Sequence, residues 1–132
     1  MKTLKIGIMR FEDMQAYTIA IAKGRCRPKR GAPKVWFTSV ESVARVLSER
    51  NRELLSLIAA RKPESLQELE DISGRKVASL SRTLKTMEQY GIVSLKKGKQ
   101  GRIKPRVEYS GFSLDMPLAL MDQKNREMAP RA

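Results

Sequence analysis

The sequence predicts an α+β fold, mainly helical, for a chain of one small domain with a short extension. Its 132 residues are the usual length of a single domain. Several segments repeat apolar residues at spacings of three and four, which is typical of helices with one buried face. Short apolar runs bounded by glycine or proline predict strands before and after these helices.

The N-terminal segment 1–23 predicts a β-α unit. Residues 3–8 alternate apolar and polar side chains, as a half-buried strand does. From Phe11 onward apolar residues recur at helical spacing, and Gly24 predicts the end of this helix. Such a unit has too little apolar surface to be stable alone. It is expected to pack on the rest of the chain or on a second copy, and we expect a homodimer.

Residues 24–34 predict a basic linker. Between Lys23 and Lys34 the chain has six basic residues and no acidic one. Several residues here break helices, namely Gly24, Pro28, Gly31 and Pro33. The segment is expected to be either a solvated connection or an arm that contacts nucleic acid.

The domain proper is expected to begin at residue 35. Residues 35–37 predict a short apolar strand, and Thr38 with Glu41 has the spacing of a capping box at a helix start. Apolar residues then continue at helical spacing. The pattern over 39–61 fits one helix or two helices broken near Asn51.

Two helices of unequal length are predicted next, on either side of a turn at Ser73 and Gly74. Ser65 with Glu68 is a second capping-box pattern, which predicts the start of the short helix. The longer helix covers about 75–90. Its apolar residues recur at steps of three and four, namely Val77, Leu80, Leu84 and Met87.

A hairpin with a basic tip follows these helices. Residues 92–95 and 103–107 predict its two strands, and the loop 96–102 joins them. Gly98 and Gly101 permit the positive backbone angles that such a loop needs.

The end of the chain predicts one more extended segment over 109–116 and then a polar stretch without periodicity. Residues 117–132 are therefore expected to form a flexible C-terminal tail.

Charge and composition indicate the kind of partner and exclude several classes of protein. The net charge is +13, from 27 basic and 14 acidic residues, which favours an anionic partner such as nucleic acid. Without histidine, and with one cysteine, the chain lacks the usual catalytic triads, most zinc sites and any internal disulfide. We expect no enzymatic activity and no cofactor or metal. No apolar run reaches the ~18 residues of a membrane span, so a cytoplasmic protein without a membrane partner is expected.

The order of elements over 35–116 is that of a winged helix-turn-helix, preceded by the β-α dimerisation unit. A major groove about 12 Å wide admits one helix, and a cationic hairpin can reach the adjoining backbone. On a helical wheel, polar and basic residues of 75–90 lie opposite the apolar face. The candidate DNA-binding residues of the helix and the hairpin are Arg75, Lys76, Ser79, Arg82, Lys85, Thr86, Lys96, Lys97, Lys99, Arg102 and Lys104.

Five segments of the chain resemble small winged helix-turn-helix transcriptional regulators of the MarR-like type. They are 34–39, 65–69, 80–87, 90–93 and 101–103. The likeness is greatest to the group often encoded beside a toxin gene. The resemblance implies that the helix 75–90 is the recognition helix and that the hairpin is the wing. It also implies a repressor, the autoregulating antitoxin of a toxin-antitoxin pair, with a toxin protein as a further partner.

The predicted function is that of a sequence-specific, double-stranded DNA-binding transcriptional regulator, acting as a homodimer on a two-fold operator. An RNA-binding winged helix would use the same cations, but aromatic residues at 5% leave few platforms for stacking bases. A protein-interaction module could share the fold with a merely solvated basic face. Binding to one duplex, compared with scrambled duplex and single-stranded RNA, distinguishes these three functions.

Overall fold

The computed structural model describes residues 2–27 and 30–116, and the predicted tail 117–132 lies outside the described residues. The fold is of the α+β class, with about half of the described residues in helices. The elements in chain order are β1 (Lys2–Ile8), α1 (Phe11–Ala22), β2 (Val35–Phe37), α2 (Val40–Val46), α3 (Glu49–Arg61), α4 (Leu66–Ser73), α5 (Val77–Gln89), β3 (Ser94–Lys97), β4 (Ile103–Arg106) and β5 (Tyr109–Asp115).

The chain divides into two compact units whose bounds differ from the predicted domains 1–23, 24–34 and 35–116. The helical unit is Val43–Ser110, and the sheet unit is Thr3–Ser42 with the segment that begins at Gly111. The division differs because β2 pairs with β1, so the residues expected to open the second domain belong to the sheet unit.

The sheet unit contains a three-stranded sheet in the order β2-β1-β5. β1 and β2 are parallel, with Ile6 opposite Val35 and Ile8 opposite Phe37, and α1 connects them. Parallel neighbours need such a crossover. The predicted strand 3–8, helix 11–23 and strand 35–37 are confirmed. Because β1 lies between two strands of its own chain, the β-α unit packs on the rest of the chain.

An aromatic pair packs together in the sheet unit, and a glycine lies against one of its rings. The rings of Tyr17 and Trp36 meet edge to face, with centroids 5.9 Å apart. Burial, and then the charge of nearby Cys26, raise the pKa of Tyr17. A Cβ atom at Gly7 would lie 2.4 Å from a carbon of the Trp36 ring, so only glycine fits beneath this indole.

The start of α2 differs from the predicted capping box at Thr38 and Glu41. Ser39 is the capping residue, because the backbone N–H of Ser42 donates to its Oγ at 3.1 Å. The Ser42 hydroxyl in turn donates to the Ser39 carbonyl at 2.7 Å. The predicted box is therefore wrong by one residue, and two serines satisfy the helix start instead of a threonine and a glutamate.

Two further serines begin helices in the helical unit. The segment 39–61 forms two helices, and α3 begins after Ser48, whose Oγ accepts from the N–H of Asn51 at 3.2 Å. The predicted start of α4 at Ser65 is confirmed, and so is one half of its capping box, since Ser65 Oγ accepts from the N–H of Glu68 at 3.0 Å. The reciprocal bond is displaced by one residue, because Glu68 Oε2 accepts from the N–H of Glu64 at 3.1 Å.

The core of the helical unit lies among α3, α4, α5 and the β3–β4 hairpin. α4 and α5 contact each other, β4 contacts α3 and α4, and α5 contacts β3. The buried apolar side chains come from each of these helices and from the bend after α5: Leu54, Leu55, Ile58, Leu69, Leu80, Leu84, Met87, Ile92 and Val93. This core anchors one face of α5 and the base of the hairpin.

The hairpin begins two residues later than predicted. Ile92 and Val93 are buried in a bend, and the antiparallel ladder runs from Ser94 opposite Arg106 to Lys97 opposite Ile103. In the loop, positive φ angles occur at Gln100 and Gly101. Of the two glycines that permit such angles, Gly101 adopts one, whereas Gly98 is extended.

Candidate nucleic-acid interface

α5 has one face in the core and the opposite face in solvent. Of the four residues in the predicted apolar stripe, Leu80, Leu84 and Met87 are fully buried, which confirms the stripe, and Val77 is half-buried. Arg82 and Lys85 lie on the exposed side. Within the described residues neither cation takes part in an ion pair, so both charges are available to an external anion.

The other α5 residues predicted to contact DNA differ in exposure. Lys76 and Thr86 are exposed, whereas Ser79 is half-buried. The Thr86 hydroxyl donates to the Arg82 carbonyl at 3.2 Å, which leaves its oxygen free to accept. Thr86 is therefore poised as an acceptor for an external donor.

The N-terminus of α5 is capped from the neighbouring helix. Lys76 precedes the helix without a capping bond from its own side chain. Instead the N–H of Val77 donates to Oε1 of Glu70 on α4 at 2.8 Å. Glu70 was not among the predicted residues, because the contact joins two helices and leaves no local pattern in the sequence. The bond fixes the start of α5 relative to α4.

Arg75 points into the helical unit and is not part of the exposed stripe. Its Nη1 donates to Oδ1 of Asn51 at 3.0 Å, and its Nη2 donates to Oγ1 of Thr83 at 3.2 Å. Burial, and then the charge of Arg50, lower the pKa of Arg75. The guanidinium therefore connects α3 to α5, although its charge and position predicted a DNA contact.

Asn51 has a further role that the sequence did not indicate. Its amide nitrogen donates to the carbonyl of Val46 at 2.9 Å, across the break between α2 and α3. Its oxygen accepts from Arg75. One side chain thus joins the end of α2, the start of α3 and the turn before α5.

The hairpin exposes a second group of cations. The four side chains near its tip are exposed: Lys96, Lys97, Lys99 and Arg102. Among the residues that the structure describes, none of the four forms an ion pair. The N–H of Gly98 donates to the carbonyl of Arg102 at 2.6 Å and closes the loop. The tip is therefore a fixed loop with unneutralised positive charge.

Two cations nearer the base of the hairpin are paired within the protein. Glu64 lies 3.2 Å from Nζ of Lys104 and 3.5 Å from Nη2 of Arg106. Nη1 of Arg106 also donates to the carbonyl of Pro63 at 2.7 Å. Lys104, a predicted DNA contact, therefore holds β4 to the segment before α4. Glu64 was missed because its partners are distant in sequence.

An open groove of about 530 Å³ lies between the start of α4 and the hairpin loop. Its walls carry opposite charges, with Glu68 and Asp71 on the helix side and Arg102 on the loop side. Acidic side chains repel anions, so this groove is less suited to a phosphate than the exposed tip of the hairpin.

The chain belongs to the HVO_A0114 family, whose model matches residues 46–114. The match covers α3, α4, α5 and the hairpin, and so includes every predicted DNA-binding residue. No curated protein matches the chain. The family name states no activity.

In the described part of the chain, no group of three or more His, Cys, Asp or Glu residues could hold a metal ion. No helix within residues 2–27 and 30–116 is long and apolar enough to cross a membrane.

Proposed function

We propose that this protein is a sequence-specific, double-stranded DNA-binding transcriptional regulator of the MarR-like, winged helix-turn-helix type. α4 and α5 are the helix-turn-helix, α5 is the recognition helix, and the β3–β4 hairpin is the wing. One observation carries the proposal: α5 and the hairpin expose a run of cations without ion pairs among the described residues. A helix and a flanking basic loop of this kind suit a major groove and the adjoining phosphates.

The exposed residues of α5 divide into base-reading and phosphate-binding roles. Arg82 has the planar fork of donors that reads guanine through two hydrogen bonds. Ser79 supplies a hydroxyl for a base edge or a phosphate, and Thr86 supplies an oxygen that accepts from a base-edge donor. Lys85, a point charge, is assigned to a phosphate. These roles place sequence reading on Arg82 and general affinity on the lysines.

Two residues predicted as DNA contacts receive a different role. Arg75 and Lys104 already have partners inside the helical unit. We assign both as positioning residues, Arg75 for α5 and Lys104 for the wing. Sites with prearranged side chains bind better than loose ones because less entropy is lost on binding.

We further propose a homodimer that forms through the sheet unit. Several large apolar side chains are exposed there, including Phe11 at 57%, Ile19 at 52% and Met116 at 51%. A second copy that covers them would remove apolar area from water and give a two-fold protein for a two-fold operator. Light scattering at micromolar concentration should give twice the 15.0 kDa of one chain, and a monomer mass would refute the dimer. The repressor and antitoxin roles implied by the resemblance, with a toxin partner, stay predictions.

The test of DNA reading begins with a preferred duplex selected from a random pool. Arg82→Ala should weaken binding to this duplex by about 1–3 kcal/mol, or about 5- to 150-fold. Binding to scrambled duplex should change little, so discrimination falls. Arg61→Ala is the matched control, since Arg61 is exposed on α3 and lies outside the interface.

Three results would contradict this proposal. If no preferred duplex emerges from the pool, the protein does not read sequence. If Arg82→Ala weakens all duplexes equally, Arg82 is a phosphate contact. If single-stranded RNA competes as well as the selected duplex, the RNA-binding alternative is favoured.

A further inference from the structure

The loop between α1 and β2 carries positive charge that the proposed function does not use. Six basic residues and no acidic one lie between Lys23 and Lys34. Five of these side chains are described, and all five are exposed. We call them the cationic loop: Lys23, Arg25, Arg27, Arg30 and Lys34.

The cationic loop is held at both ends. On the α1 side, the N–H of Arg25 donates to the carbonyl of Ala20 at 2.9 Å. On the β1 side, the N–H of Lys34 donates to the carbonyl of Lys5 at 3.1 Å, and Nζ of Lys5 donates to the carbonyl of Gly31 at 2.6 Å. The segment is therefore an anchored connection within the sheet unit and not a free linker between domains. These bonds anchor both ends of the segment that carries the cations.

No acidic side chain among the described residues neutralises these cations. The ion pairs found there join Arg10 to Glu12, and Lys104 and Arg106 to Glu64. Like charges held together repel and raise the free energy of the folded loop. A polyanion relieves this repulsion at several positions at once and also releases its own counterions. The loop should therefore prefer a polyanion to a single small anion.

The side chains of the loop favour a phosphodiester chain over a lipid surface. Three of the five are arginines, and a guanidinium donates to two phosphate oxygens at once. An amphipathic membrane-binding segment has large exposed apolar side chains beside its cations. In the described residues of this segment the apolar side chains are small and half-buried, namely Cys26, Ala32 and Pro33.

We infer that the cationic loop is a second DNA-binding surface, which contacts the phosphodiester backbone without reading its sequence. The inference goes beyond the proposed function, because it uses neither α5 nor the hairpin. It holds for any duplex, whether or not α5 reads a preferred site.

The test compares the full chain with three variants that each replace four exposed cations by glutamine. The loop variant changes Lys23, Arg25, Arg27 and Arg30. The wing variant changes Lys96, Lys97, Lys99 and Arg102. The control variant changes Lys2, Arg45, Arg61 and Lys62, which are exposed and belong to neither surface. Binding to a random-sequence duplex is measured by fluorescence anisotropy between about 50 and 200 mM salt.

The loop variant should lower the slope of log affinity against log salt by about 2–4 units, since each lost phosphate contact removes about 0.9. The control should lower it by less than about one unit. A loop variant with the wild-type slope overturns the inference, and so does a control that loses as much, because the effect would then be one of net charge. The wing variant and Arg82→Ala report on the proposed function separately.

Two further measurements test whether the slope change comes from lost DNA contacts. The double variant Arg25→Gln, Arg27→Gln should lower the slope by about half as much as the full loop variant does. Its far-UV circular dichroism spectrum should match that of the wild type. Vesicles that contain phosphatidylserine test the lipid alternative. Vesicle binding that disappears in the loop variant, together with an unchanged DNA slope, would overturn the inference in favour of a lipid surface.

Discussion

Replacing Arg75 with alanine separates the positioning role seen in the structure from the DNA contact predicted from sequence. The guanidinium of Arg75 is partly buried and bonded to Asn51 on α3 and to Thr83 on α5. If these bonds fix α5, the substitution should destabilise the protein before any DNA is added. If Arg75 is instead a DNA contact, stability should be unchanged and only affinity should fall.

The expected loss of stability follows from the two hydrogen bonds and the burial. A hydrogen bond to a charged group contributes about 1.5–3 kcal/mol, and the substitution leaves acceptors on Asn51 and Thr83 without this donor. Burial of the charge, which lowers the pKa of Arg75, offsets part of this gain. We therefore expect a loss of about 2 kcal/mol for both bonds together. With a urea dependence of about 1–1.5 kcal/mol per molar, the unfolding midpoint falls by about 1.5 M.

The assay is urea unfolding followed by far-UV circular dichroism. Arg82→Ala is the matched control, because Arg82 is exposed on the same helix, and its stability should stay within about 0.5 kcal/mol of wild type. Thr83→Val removes one acceptor, and a double-mutant cycle with Arg75→Ala should give a coupling of about 0.5–1.5 kcal/mol. A stable Arg75→Ala protein with zero coupling would refute the positioning role.

Two further predictions concern stability in the two units. Ser65→Ala should lower the free energy of unfolding in urea by about 1 kcal/mol, because it removes the cap of α4. Ser56→Ala, at an exposed position of α3, should keep a free energy of unfolding within about 0.5 kcal/mol of wild type. Equal losses in the two variants would contradict the capping role of Ser65. Gly7→Ala should cost about 1–3 kcal/mol, because its new Cβ would meet Trp36, and should shift the unfolding midpoint seen by fluorescence of this single tryptophan. Gly111→Ala is the control, with nothing within 4 Å of its new Cβ, and unchanged stability in Gly7→Ala would show that the indole can move.

The elements that could be predicted from sequence are those determined by neighbouring residues. The alternation over 3–8 and the serine at position 65 lie within a few residues of the structure that they define, and both predictions are confirmed. The buried face of α5 followed from spacing alone. Element boundaries were less well determined, because apolar residues such as Ile92 and Val93 are buried in a bend as readily as in a strand.

The candidate interface could be predicted only as a set of charges. Charge and position in the sequence predict the same DNA-binding role for Arg75 and Arg82. In the structure Arg75 is hydrogen-bonded inside the protein and Arg82 is exposed. Lys104 and Lys99 are likewise both lysines of the hairpin, yet Lys104 pairs with Glu64, a residue distant in sequence, and Lys99 is exposed. Whether a cation is available to an external anion depends on which acidic or amide side chain the fold brings within bonding distance.

By itself the sequence determined the helices, most strands, the apolar stripe of α5 and the cationic character of the hairpin and the α1–β2 loop. These depend on periodicity, caps and charge, which are local. Only the tertiary structure decided that β1 pairs with β2 and lies beside β5, that Glu70 caps α5, and that Arg75 and Lys104 are held internally. Each of these contacts joins residues far apart along the chain, and its free energy exists only once the fold has brought them together.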